Sequence, residues 1–578
     1  MALTIEHPPP VEEATSAQVA LQLGRVEVRR LATHPATLIG FLLAGVAMWG
    51  LNTGAAPVLN RAGATTSLPL VLIAAGGMIA AADASARMWK TEQSEALDIT
   101  PASERSRAAG LLMASLGPLA LAVALQAVAL IGMMFDRPVT TLDWWDALSG
   151  PLVVLLATVI GVAAGRWVPS RLTGPVVLIA VGAITITLSS YRVLQRAGPG
   201  ARWLTPIVPL EFDPYELSFR PTGAHALYLI GLIAGFVSLA ALKGRARTTW
   251  LPVATLSLAV ALTVISAQAQ FAAYEDFDYE ALVAEYVPPA ADYTCEVSGT
   301  VEYCAHPGYV EWIEEWDALV QPVLQLAPDD VAGRPLRVTQ YPTQALDLLF
   351  DGSSGSEVEP LPGLATGMWW GRRPGGIEWG GGWPFGMALG ASAWAVGLPL
   401  QLTEGQWVTE EDAEGRMITS EFVPGVDGVP EDQVSSIVCT TLNQGRAMVA
   451  LWMAAQASPV TEQHLRNVIE HPDQPIFEDW VNDQGETVTL YVNVAQSIEA
   501  GQPYPWYALD IANHEAYYAY QLLDLPDEEV AGLILQNWDF LTDPATDTRQ
   551  ALEVFGMEPV PGYDNYFPDE YSFYPVCG

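Results

Sequence analysis

Two sets of side chains in this chain have types and spacings suited to chemistry. The first is His514-Glu515-Ala516-Tyr517-Tyr518, which begins like the H-E-x-x-H pattern of zinc peptidases. In that pattern two imidazoles one helical turn apart and a later carboxylate hold the metal, and the Glu between them acts as base. Here Tyr518 stands in the place of the second His and Asn537 in that of the later carboxylate, so two of three ligands are missing. A helical His packed in its own core, or an inactive descendant of such a site, accounts for the same residues. His464 and His471 join a metal only if tertiary structure brings them there.

The second set is the cysteines. Cys295, Cys304, Cys439 and Cys577 all lie in the C-terminal half, and an even number confined to one region points to oxidation outside the cytoplasm. Cys295 and Cys304 enclose a loop short enough to close locally, leaving Cys439 and Cys577 as a long-range pair, although four cysteines allow three connectivities. Neither of the two lysines, Lys90 and Lys243, lies in a G-x-x-x-x-G-K-[ST] context, so this chain has no such phosphate cradle. It also has no G-x-S-x-G elbow and no C-x-x-C pair, and carboxylates are too abundant for any two to be singled out as an acid/base pair.

The elements that must position these residues fall into two classes. Residues 272–578 hold 50 of the 65 acidic side chains and 8 of the 26 basic ones, whereas residues 1–271 hold 15 and 18 and nearly all the long apolar runs. The net charges are therefore −42 and +3. A field of that sign repels nucleic acid and anionic headgroups, so nucleic acid is not an expected partner. The expected architecture is an α-helical membrane bundle followed by a mainly helical α+β soluble domain.

A bilayer-spanning helix takes about 20 mostly apolar residues. Seven stretches qualify, at 35–53, 66–84, 108–135, 148–166, 172–191, 223–242 and 250–270, and Pro118 predicts a kink in the third. Twelve basic residues fall before the first span or in the even loops, among them Arg25, Arg105, Arg166 and Lys243, against six in the alternate loops. That bias places the N-terminus in the cytoplasm, and an odd number of crossings puts residues 272–578 outside, where the cysteines can oxidise. The apolar run Gly386–Leu402 is short and glycine-rich, and reads as a core helix of the outer domain. The first span is expected to act as an uncleaved anchor. Gln126, Thr185 and Thr187 are the polar positions within spans that are candidates to line a cargo path, with helix–helix hydrogen bonding as the alternative.

The cytoplasmic stretch Arg87-Met88-Trp89-Lys90-Thr91-Glu92-Gln93-Ser94-Glu95-Ala96-Leu97-Asp98-Ile99-Thr100-Pro101-Ala102-Ser103-Glu104-Arg105-Ser106-Arg107 resembles the loop between the second and third spans of ABC-2 type exporter permeases. Leu23–Pro35 is similar to the amphipathic elbow under the first span of the same family, which divides the chain into a 1–34 N-terminus, a 35–271 membrane domain and a 272–578 outer domain. In this stretch a helix from Thr91 is stopped by Pro101, and Arg105 and Arg107 anchor the next helix at the inner interface. The resemblance implies a homodimer or paired permease in the lipid bilayer, with no cofactor of its own. ATP would be bound by a separate ATPase subunit docked at Glu92, Glu95, Leu97, Pro101 and Arg105. The alternative is a membrane-anchored extracytoplasmic hydrolase or binding protein. In the outer domain, Met368–Trp383 gathers four tryptophans and adjacent arginines in a Gly-rich loop suited to lipid headgroups, a lipid-like cargo or a peptide, or simply to core packing. Helices are predicted at Val310–Leu326, Val434–Ala457, Trp506–Leu525, Glu528–Phe540 and Thr546–Phe555, and a strand at Leu336–Tyr341.

Overall fold

The computed structural model describes residues 16–52, 58–87, 104–135, 138–188, 204–206, 221–243, 250–275, 293–341, 364–367, 382–398, 403–411, 417–424, 435–437, 443–470, 479–481, 487–489 and 513–560. The chain divides into two compact units, with the main break between Tyr279 and Glu280, eight residues beyond the expected boundary.

The first unit is helical. Helices α1 (Ser16–Ala32), α2 (Pro35–Asn52), α3 (Ala62–Arg87), α4 (Glu104–Ala114), α5 (Leu116–Met134), α6 (Trp144–Trp167), α7 (Thr173–Leu188), α8 (Thr222–Leu242) and α9 (Trp250–Glu275) cover all seven apolar stretches. Among the described residues, five helices are long and apolar enough to cross a bilayer, or six if the bent pair α1–α2 counts as one span. The run at 172–191 is described as a helix of only 16 residues, which is why the count stays below seven.

The bend and the helix break each have a local cause. Between α1 and α2 the axis turns by 54°, where Thr33 donates back to the Arg29 carbonyl at 2.8 Å and His34 Nδ1 accepts from the Ala36 amide at 3.2 Å. Between α4 and α5 the helix breaks at Ser115, because Pro118 has no N–H to offer the carbonyl one turn earlier.

Helix α6 is the centre of the bundle and is buried along most of its length, from Asp146 to Arg166. Apolar burial gives little preference among neighbours in hydrocarbon, so close backbone approach carries the packing. Gly161 shows this directly, since a Cβ there would lie 2.3 Å from the Met78 carbonyl oxygen on α3. Leu70, Ile73, Val154 and Leu229 fill the core between α3, α6 and α8. By contrast, α7 and α9 present exposed apolar side chains such as Ile179, Ile186, Leu258 and Ile265, a surface suited to lipid.

The second unit is α+β. Strands β1 (Thr294–Ser298), β2 (Val301–Ala305), β3 (Leu336–Tyr341) and β4 (Leu364–Gly367) form one sheet in that order, the first pair antiparallel and the others parallel. Gly299, at φ +60°, opens the two-residue turn from β1 to β2, a conformation that a β-carbon disfavours. Helix α10 (Ile313–Gln325) connects β2 to β3 and buries Ile313, Trp316, Leu319, Val320, Val323 and Leu324 on one face.

Helix α11 (Gly382–Ala395) overlaps the expected Gly386–Leu402 run but starts four residues earlier, and its 14 residues pack on α12 (Gly445–Ala455). It ends at Gly397, whose φ of +73° lets the Leu398 amide fold back to the Ala393 carbonyl. Every residue of α12 is buried, enclosed by α11, α13 (Pro459–Glu470), α14 (Asn513–Leu522) and α16 (Thr548–Val554), with α15 (Asp527–Gln536) between the last two in sequence. Strands β5 (Thr403–Glu411), β6 (Met417–Pro424) and β7 (Ser435–Ile437) form a second, antiparallel sheet, and β8 (Asp479–Val481) pairs with β9 (Thr487–Thr489).

The helix predicted over Val434–Ala457 is not continuous. Its first part is strand β7, and Asn443, at φ +58°, prevents a right-handed helix from running through to Gly445.

Candidate functional site

A polar seam runs through the first, helical unit where the N-terminal turns of α3 and α6 meet α5. Gln126, on α5, is 4% exposed. Its amide nitrogen donates to Thr66 Oγ1 on α3 at 2.9 Å and to the Ala147 carbonyl on α6 at 2.8 Å. A buried primary amide left unpaired would cost several kcal/mol in hydrocarbon, and these two bonds offset that cost. Beside it, the Ser67 and Ser149 hydroxyls lie 3.2 Å apart, and Ser149 also donates to the Asp146 carbonyl at 2.6 Å.

Asp146 itself is 2% exposed, and a Cβ on Gly63 would lie 2.2 Å from one of its carboxylate oxygens, so α3 closes directly over it. The Asp143 side chain caps α6 through the amides of Trp145 and Asp146. Buried at the first turn of α8, His225 Nδ1 pairs with Gln270 Oε1 of α9 at 3.1 Å, and one turn further on Tyr228 donates to the Leu204 carbonyl at 2.9 Å. Ionisable groups buried in a helix bundle are costly and mark functional positions.

Of the three expected cargo-path residues, the structure brings only Gln126 into this seam. Thr185 and Thr187 each return a hydrogen bond to their own helix, at Val181 (3.0 Å) and Ala183 (2.7 Å). Sequence reading passed over Asp146 because the span was drawn from residue 148, whereas α6 begins at Trp144. An acidic residue two positions outside an apolar run was the available signal.

At the other ends of these helices lies a second group. The fully buried Arg166 of α6 meets Glu104, the first residue of α4, at 3.9 Å, and Lys243 donates to the Arg166 carbonyl while lying over the Trp167 ring. Arg105 is exposed in the first turn of α4. Glu92, Glu95, Leu97 and Pro101 lie outside the described residues.

Helix α1 buries a stripe of Ala20, Gly24, Glu27 and Leu31, and it packs against α4 and α5. The approach is close enough that a Cβ on Gly110 would meet Leu23 at 2.9 Å, and one on Gly117 the Val28 carbonyl at 2.5 Å. Helix α1 is thus clasped to α4, the helix that follows residues 88–103.

In the second unit, Cys295 and Cys304 form a disulfide across a registered β1–β2 pair. Cys439, Cys577, His471 and most of the Met368–Trp383 loop fall outside the described residues.

His514 and Glu515 open α14, and both are buried. Glu515 Oε1 accepts from Thr548 Oγ1 of α16 and from the Asn443 amide at 3.1 Å, so one carboxyl joins three segments. Burial pushes this carboxyl up to about 7, against the pull of the Thr548 and Asn443 hydrogen bonds, and burial lowers His514 to about 4. Tyr518, in the place of a second metal-binding His, accepts from the Val560 amide at 3.0 Å. His464 lies against Phe385 with the rings tilted and their centres 5.0 Å apart, and burial lowers its pKa. These groups are arranged as interior ties between helices, not as a ligand set around open water.

Comparison with protein-family models, with curated proteins and with solved structures gives no match.

Proposed function

We propose that this chain is the membrane-spanning permease subunit of an ABC-2 type exporter, acting as a homodimer or paired permease with a separate ATPase on its cytoplasmic side. The observation that carries the reading is the clasp between α1 and α4. The loop expected to receive the motor leads directly into Glu104, which pairs with the buried Arg166, and α4 lies along the entry helix. A push on that loop therefore acts on α1, α5 and α6 together, as a rigid-body transition requires.

In this reading the N-terminus is cytoplasmic, the chain crosses seven times, and residues 272–578 stand outside to receive or gate cargo. The Gln126 seam sits on the path between the two faces. Its bonds to Thr66 and Ala147 hold α5 against α3 and α6, so a cargo that competes for them opens the bundle at that level.

The test is co-purification of the full-length protein with its ATPase from the native membrane in mild detergent. Charge reversal at Glu92 and Glu95, or Leu97→Asp, is expected to abolish the association and leave insertion intact, because insertion is set by the apolar segments. Loss of one anchoring contact at a docked interface costs about 2 kcal/mol, more than tenfold in occupancy. Normal ATPase binding by these variants, with function destroyed by His514→Ala, would overturn the transporter reading in favour of an outer-domain hydrolase.

A further inference from the structure

We propose that the Cys295–Cys304 bond is an exchangeable disulfide of fixed polarity: an incoming thiolate attacks Cys295, and Cys304 departs as a thiolate beside Arg337. The two sulfurs occupy different environments. Cys295 is exposed on β1, the edge strand of its sheet, whereas Cys304 on β2 is fully buried. A nucleophile from solvent therefore has access to one sulfur of the pair. The other is next to a cation, with Arg337 Nη2 3.4 Å from Cys304 Sγ.

Arg337 is paired in register with Glu302 across β2 and β3, and its Nε lies 3.4 Å from the Glu302 carboxylate. That contact fixes the guanidinium so that its Nη2 donates directly to Cys304 Sγ, whereas a Glu302 carboxylate oxygen, within 4.8 Å of both sulfurs, opposes negative charge there. A nearby cation favours the thiolate, and a leaving thiol that ionises easily leaves faster. Access and leaving-group stabilisation thus favour the same direction of attack.

The exchange balances as follows. The thiolate of a dithiol reductant bonds to Cys295 Sγ as the Sγ–Sγ bond breaks, and the electron pair passes to Cys304 Sγ, which then takes a proton from water. The reductant's second thiol, as thiolate, attacks its own sulfur in the mixed disulfide and releases Cys295, which is protonated in turn. The pair has gained two electrons and two protons, and the reductant has become a disulfide. Edge strand β1 is then held to β2 by its ladder alone, so the redox state decides whether the first strand of the acidic domain is covalently tied.

The experiment uses the full-length protein in detergent and cysteamine as probe. A cationic thiol is chosen because the net −42 of residues 272–578 disfavours anionic ones. After acid quench and alkylation, peptide mapping is expected to find the cysteamine adduct on Cys295 and the alkyl group on Cys304. Arg337→Gln is expected to slow exchange severalfold, because the departing sulfur loses its cationic neighbour, and Arg337→Lys to restore most of the rate. An adduct on Cys304, equal adducts on both sulfurs, no adduct while a small-molecule disulfide exchanges in the same tube, or no rate difference among the three proteins would each overturn the proposal. The wild-type map decides the polarity even if the Gln variant folds poorly.

Discussion

Replacing Glu515 with Gln should stabilise the second unit at alkaline pH and leave it nearly unchanged at acid pH. The carboxyl is fully buried, and among the described residues the groups that act against its burial are the Thr548 hydroxyl and backbone amides. Its pKa rises from 4.5 to about 7. An acid whose folded pKa is raised favours folding fully below its unfolded pKa, and that contribution is lost as pH rises through the folded value. The gap between 4.5 and about 7, at ~1.4 kcal/mol per pH unit, amounts to about 3 kcal/mol.

Gln copies the protonated acid in shape, so the advantage of the variant should grow from near zero at pH 4.5 to about 3 kcal/mol above pH 7. The wild type alone will not reveal this. His514, lowered from 6.5 to about 4, has the opposite slope, losing stability as pH falls over nearly the same range. The two neighbours largely cancel until one is removed. The assay is the opening free energy of α14 amides from hydrogen exchange in the full-length protein, corrected for intrinsic exchange rates, at intervals from pH 5 to 8. A difference between variant and wild type that stays constant with pH, or a Gln variant weaker at pH 8, refutes the reasoning.

Three further outcomes are expected. A membrane-impermeant thiol reagent should label Ser353→Cys from outside intact cells and spare Ser94→Cys; the reverse pattern would invert the positive-inside argument. A double-mutant cycle of Gln126→Leu with Thr66→Val should give a coupling of about 0.6–1.7 kcal/mol in a reversible unfolding assay in detergent, and zero coupling would remove the seam as a structural tie. Gly161→Ala should lower thermal stability in the same detergent, since its Cβ would lie 2.3 Å from the Met78 carbonyl, whereas Gly182→Ala, with nothing within 4 Å, should be tolerated; equal effects would contradict close packing of α3 on α6.

Much of the local structure was legible in the residues. The seven apolar runs of 19 or more residues are helical over most of their described residues, the conformation in which an apolar segment satisfies its own backbone. Pro118 marked the break at Ser115 through its missing N–H, and Leu336–Tyr341 was read as a strand with its observed bounds. The cysteines nearest in sequence were the ones found bonded, since a two-residue turn makes them cross-strand partners.

The short strands of the second unit were less legible. β1, β2 and β4 to β9 were not anticipated, because strands of three to nine residues in an acidic, glycine-interrupted sequence carry too few alternating positions to stand out from loops.

The sequence by itself determined that the chain is two materials, an apolar helical half and an acidic half. Charge and hydropathy are sums over residues and need no partner. Tertiary structure alone decided which polar residues matter together. Gln126 and Thr66 are 60 positions apart, Glu104 and Arg166 62, and Glu515 and Thr548 33. Nothing in local spacing distinguishes Gln126, which bridges two other helices, from Thr187, which returns a hydrogen bond to its own. Whether a buried polar group bridges helices or turns back on its own depends on how closely neighbouring backbones approach. That approach is set here by where glycines of one helix meet the backbone of the other, as Gly161 and Gly165 of α6 meet Met78 and Ala82 of α3, and it exists only once the bundle is packed.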